Sequence, residues 1–134
     1  MASIDTIEGI GVKNATKLRK ARIRTTEALL KQGSTRKGRR ELSERVGLSE
    51  KLILEWVNRA DLMRVRGVGE EYSDLLEAAG VDTVKELRHR NAENLATKMA
   101  EVNAVKNLSN AAPATTTIEK WIEQAKQLDP TITH

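Results

Sequence analysis

The sequence predicts an all-α protein, a compact bundle of short helices formed by two diverged copies of one repeat. Three observations predict it. Apolar residues recur at helical spacing, and no window of four to eight residues alternates cleanly as a strand would. The pentapeptide Ile7-Glu8-Gly9-Ile10-Gly11 returns 58 residues on as Val65-Arg66-Gly67-Val68-Gly69. Helix-capping side chains and short turns punctuate the whole chain.

The repeat extends beyond the pentapeptide. At the same offset Leu18 meets Leu76, Ala21 meets Ala79, Ile23 meets Val81, Thr25 meets Thr83 and Leu29 meets Leu87. Further on the register shifts, and the segment around Trp56 pairs with the segment around Trp121, 65 residues later. The second copy is therefore longer in its middle. These matches divide the chain into a first repeat, 1–62, and a second, 63–134, with an insertion near 103–116.

Each element follows from local signals. Gly11 opens a helix over about 12–21, with Ala15, Leu18 and Ala21 on one face. Thr25 caps a short helix through Lys31, closed by Gly33. A basic helix covers about 36–46 and ends at Gly47. Ser49 caps the next, with Leu48 and Ile53 as a hydrophobic staple. That helix runs to about Arg64 and buries Leu52, Ile53, Trp56, Val57 and Ala60. In the second copy a helix over 70–79 stops at Gly80, and Thr83 with Glu86 forms a capping box. Asn91 caps a helix at 92–102, and Thr116 with Glu119 forms a second box that opens the Trp121 helix.

The recurring pattern is apolar-x-Gly-apolar-Gly, then Ala or Ser four residues on, then Leu three further. It resembles the helix-hairpin-helix (SAM-like) family. The first Gly sits where a tight turn calls for a positive φ or a close backbone approach. The second sits at a helix N-terminus with its N–H exposed, at the positive end of a helix dipole. The resemblance implies that an anion, commonly a DNA phosphate read without sequence preference, binds there. Such turns sometimes also hold a monovalent cation through backbone carbonyls. More closely, IEGIG, EWVNRADLMR and RGVGEEYSDLLEAAGVDTVKEL look like the domain-of-unknown-function family numbered 4332. That likeness implies tandem helix-hairpin-helix units and brings no activity with it.

Carried over residue by residue, the resemblance treats the two copies differently. In the first, Gly9, Gly11, Val12 and Lys13 occupy the phosphate-facing turn. Lys17 and Lys20 follow on the same helix, and Arg36, Lys37, Arg39 and Arg40 extend the basic patch. In the second, Gly67 and Gly69 remain, but Glu70, Glu71 and Asp74 stand where a phosphate would approach, and like charge repels it. Only about six residues precede the first turn, so its leading helix is short or missing, whereas the second turn has a full one.

Charge and composition bound the function. The net charge of +4 is uneven: residues 1–64 carry 15 Lys and Arg against eight Asp and Glu, and residues 65–134 carry eight against 11. The core must be aliphatic, for there is no Phe, one Tyr (Tyr72) and two Trp (Trp56 and Trp121), which are expected at equivalent core positions. So few aromatics offer no stacking platform for single strands. There is no Cys, and His89 and His134 read as surface imidazoles, so no cofactor, metal site or disulfide is implied. No phosphate loop or nucleophile elbow is present, and neither catalysis nor a small-molecule substrate is expected. No 18-residue apolar run exists, and MASIDTIEGIG lacks the layout of a signal peptide; the expected location is cytoplasmic, without a membrane partner. The sequence therefore points to a non-enzymatic module whose partner is nucleic acid, bound by its backbone through the first repeat. The alternative is a protein-interaction or scaffolding module, in which the basic and acidic halves pair between molecules or bind another protein; a third reading is an accessory module that positions a separate enzyme.

Overall fold

A computed structural model describes residues 2–7 and 9–134. After a 3-10 turn at Ile4–Thr6, the described residues form eight helices: α1 Gly11–Lys20, α2 Thr26–Gly33, α3 Arg36–Val46, α4 Glu50–Leu62, α5 Glu70–Ala78, α6 Val84–Leu87, α7 Ala92–Lys106 and α8 Thr115–Gln127. Among the described residues the only extended pairing is an isolated bridge between Ser3 and Thr25. The protein is all-α. No helix of the described residues is long and apolar enough to cross a membrane.

The chain divides into two compact units, 1–61 with 131–134, and 62–130. The tail 131–134, expected with the second repeat, belongs to the first unit. There Thr133 donates its N–H to the Ser34 carbonyl at 2.8 Å, and its own carbonyl accepts from Arg39 at 2.6 Å.

The first unit buries Ile4, Ile7, Ile10, Leu18, Ile23, Leu29, Leu42, Ile53 and Val57, each contributing roughly 2 kcal/mol by leaving water. Gly33 does not close α2 through a left-handed residue. It is a buried helical residue, and Ser34 continues in right-handed geometry. Its role is close packing: a methyl group there would meet Val57 of α4. Thr25, Thr35 and Ser49 each accept a hydrogen bond from the backbone N–H three residues on. Trp56 is buried as expected, but Leu52 is 38% exposed, because α4 turns its Ile53–Trp56–Val57 face inward instead.

The second unit gathers Leu62, Val65, Val68, Leu75, Leu76, Leu87, Met99, Ile118 and Trp121 into one core. The Tyr72 ring lies 5.2 Å from that of Trp121, tilted by 57°. Thr83 caps α6, while Glu86 reaches back to the Asp82 N–H at 3.4 Å, one residue earlier than a regular capping box would place it. Asn91 caps α7, which runs four residues past the expected 102 and ends at Asn107 in left-handed conformation. The Thr116–Glu119 box does not form. The helix starts two residues earlier, with Ala114 at its N-cap and no side-chain cap bond. The loop after α7 is held by a pair of bonds between the Asn103 amide and the backbone of Ser109.

The turns of the two units share a hydrogen-bond pattern at an offset of 58. Ile7 N–H to Ile4 carbonyl recurs as Val65 to Leu62, Ile10 to Ile7 as Val68 to Val65, and Ile23 to Leu18 as Val81 to Leu76.

Candidate nucleic-acid interface

The glycine turn of the first unit is open. Gly9 and Gly11 adopt φ of 81° and 75°, which side-chain-bearing residues rarely reach, and a Cβ on either would meet nothing within 4 Å. Glu8 lies outside the described residues. No described side chain caps the first N–H groups of α1. Val12 is 84% exposed beside them. Lys13 and Lys20 are exposed and Lys17 is half-buried. Among the described residues, the three-residue 3-10 turn Ile4–Thr6 precedes this turn.

The turn of the second unit is tied down. Gly67 is close enough to the Trp121 indole that a Cβ would stand 3.2 Å from Nε1. The Gln124 amide accepts from the Arg66 N–H at 2.9 Å and donates to the Arg66 carbonyl at 3.2 Å. Gly69 is extended, with φ −103°, where Gly11 is left-handed. The first turn of α5 carries Glu70 and Glu71. Charge and internal bonding together disfavour an anion there.

The basic cluster of α3 splits. Arg36, Lys37 and Arg40 are exposed. Arg39 is not a surface cation: it is 4% exposed and donates to the Gly33 carbonyl at 2.8 Å as well as to Thr133. Burial lowers its guanidinium pKa from the ordinary value, with the Arg36 charge acting in the same direction and Glu50 opposing. It is a structural strut, and it leaves the set of candidate phosphate contacts.

The two basic helices of the first unit meet near their C-terminal ends, where Arg45 donates to the Ala21 carbonyl at 3.0 Å. At about 1.5 Å per residue, Arg36 stands about 13 Å along α3 from Arg45, and Lys13 about 12 Å along α1 from Ala21. Lys20 is at the junction, and so is Arg22, which sequence reasoning missed. Arg22 adopts φ 68° where the second unit has Gly80 at 94°. The repeat offset pairs these positions, and that pairing was the available signal. Arg19 is engaged with Asp5 at 3.1 Å; the Ser3 hydroxyl and then Arg19 hold the Asp5 carboxyl below its ordinary pKa. Among the described residues, no group of three or more His, Asp or Glu is placed to hold a metal ion.

Neither a curated protein nor a solved structure matches the chain. The family model described as Domain of unknown function (DUF4332) matches residues 8–128, and the chain belongs to that family, which carries no assigned activity.

Proposed function

We propose that the protein is a non-enzymatic binding module whose first unit holds nucleic-acid backbone without sequence preference. The observation that carries this is the state of its cations. The first unit has 14 Lys and Arg against eight Asp and Glu. Lys13, Lys17, Lys20, Arg36, Lys37 and Arg40 reach solvent, and among the described residues none of them is held in an ion pair. Point cations of this kind are drawn to phosphates and release counterions on binding. The open Gly9–Gly11 turn, with Val12 beside it, lets a strand approach the backbone closely. Arg22 supports the same reading: a cation is kept at a position whose left-handed backbone costs roughly 1 kcal/mol.

Fluorescence anisotropy with a random-sequence duplex tests it. Affinity should fall steeply with salt, with a logarithmic slope of about −0.9 per phosphate contacted. Changing Lys13, Lys17 and Lys20 together to Glu should weaken binding more than tenfold, by roughly 1.4 kcal/mol or more. Absence of binding at low salt, or affinity indifferent to that change, defeats the proposal.

One observation favours the alternative of a protein-interaction module. Val105 is 85% exposed on α7, beside the half-buried Val102. Light scattering without nucleic acid across a salt series separates the two readings: a rise in mass, lost on Val105→Asp, supports interaction through this face.

A further inference from the structure

The second unit, although net acidic, contains a pocket of about 350 Å3 without a carboxylate in its lining. Its floor is Ala79 and Leu95, both buried. Its rim is His89, Arg90, Asn91, Asn94 and Lys98. His89, Arg90 and Asn91 come from the turn after α6, while Asn94 and Lys98 sit one helical turn apart on α7. Two of the rim groups are held in place from behind. Arg90 donates to the Gly80 carbonyl at 2.8 Å and stands 3.7 Å from Glu86. The Asn91 side-chain oxygen accepts from the Asn94 N–H at 3.0 Å.

Such a rim can donate many hydrogen bonds, and none of its groups carries a negative charge. Guanidinium and ammonium only donate, and the two amides add neutral donors. The donors converge from two elements around one space, and they suit a group with several oxygens pointing in different directions better than a planar carboxylate. Charge-assisted bonds of this type are the strong class.

We infer that this pocket binds a small phosphate-bearing ligand, its phosphoryl oxygens accepting from Arg90, Lys98 and the Asn91 and Asn94 amides, with His89 at the edge. The site is in the second unit and is independent of nucleic-acid binding by the first. Failure here leaves the first-unit reading untouched, and the reverse holds as well.

The test is titration of the full chain with inorganic phosphate, followed by 1H–15N correlation spectra at fixed pH, with chloride exchanged to keep ionic strength constant. The expected result is saturable shifts confined to the amides around 79–80 and 89–98. Lys98→Gln and Asn94→Ala, both on exposed helix positions, should each weaken the apparent affinity about tenfold without disturbing the rest of the spectrum. Acetate run in parallel should bind more weakly. Shifts that rise without saturating, that survive both substitutions, or that acetate reproduces at equal affinity overturn the assignment.

Discussion

Gly33 of α2 faces Val57 of α4 so closely that a methyl group on Gly33 would stand 2.5 Å from Val57 Cγ2. Two effects oppose each other at this site. Alanine is the better helix former by about 1 kcal/mol, but overpacking costs about 1–3 kcal/mol. The clash should win, so Gly33→Ala should lower stability by about 1–2 kcal/mol in urea denaturation. Pairing it with Val57→Ala should recover part of that loss, giving a favourable coupling energy in a double-mutant cycle.

Arg39 and Arg40 are neighbours with opposite fates, one buried and one exposed. Arg39→Met leaves the Gly33 and Thr133 carbonyls without their donor, a loss of about 2 kcal/mol read by denaturation. Duplex affinity of the folded variant should change less than about twofold. Arg40→Glu should do the reverse, weakening the duplex complex while leaving the denaturation midpoint nearly unmoved.

The glycines that open the two helices should respond differently to alanine. Gly11 has φ 75°, so Gly11→Ala imposes about 1–2 kcal/mol of backbone strain even though the space is empty. Gly69 is extended and also has room, so Gly69→Ala should stay within about 0.5 kcal/mol of the parent. Thermal melts of both variants decide it, and equal effects would contradict the assigned geometry.

Arg22 offers a trade between stability and binding. Arg22→Gly relieves a left-handed arginine and should raise stability by up to about 1 kcal/mol. It also removes a cation from the junction of α1 and α3, so duplex affinity should fall and the salt slope should shrink by about one contact. A variant that is more stable and binds as before would remove Arg22 from the interface.

The helix boundaries were readable because their signals are local. Thr25, Ser49, Thr83 and Asn91 cap helices within three residues of themselves, a distance the sequence displays directly. Gly47 and Gly80 likewise mark ends where the backbone turns left-handed. Most of the misreadings are tertiary. Arg39 reads as one more solvated cation among four, but its guanidinium is held by the Gly33 carbonyl and by a partner 94 residues away. Gly33 resembles a terminator, and its real constraint is a side chain on another helix. Leu52 fits the apolar stripe of α4, but the face that the core accepts is rotated away from it. Thr116 and Glu119 have the spacing of a capping box, yet the chain enters the helix two residues too early to use it. For the candidate interface, the exposed lysines of α1 and the shape of the glycine turn were legible. The engagement of Arg66 by Gln124, across 58 residues, was not.

The first unit is interrupted: its last four residues come after the whole of the second. During synthesis a ribosome therefore releases α1 to α4 well before the tail that satisfies Arg39 has been made. Until residues 131–134 emerge, the Arg39 guanidinium lacks its bond to the Thr133 carbonyl and the Ser34 carbonyl lacks its donor. The first unit is thus completed only after the second has been made, and a cut between 61 and 62 would release a fragment missing part of its own structure.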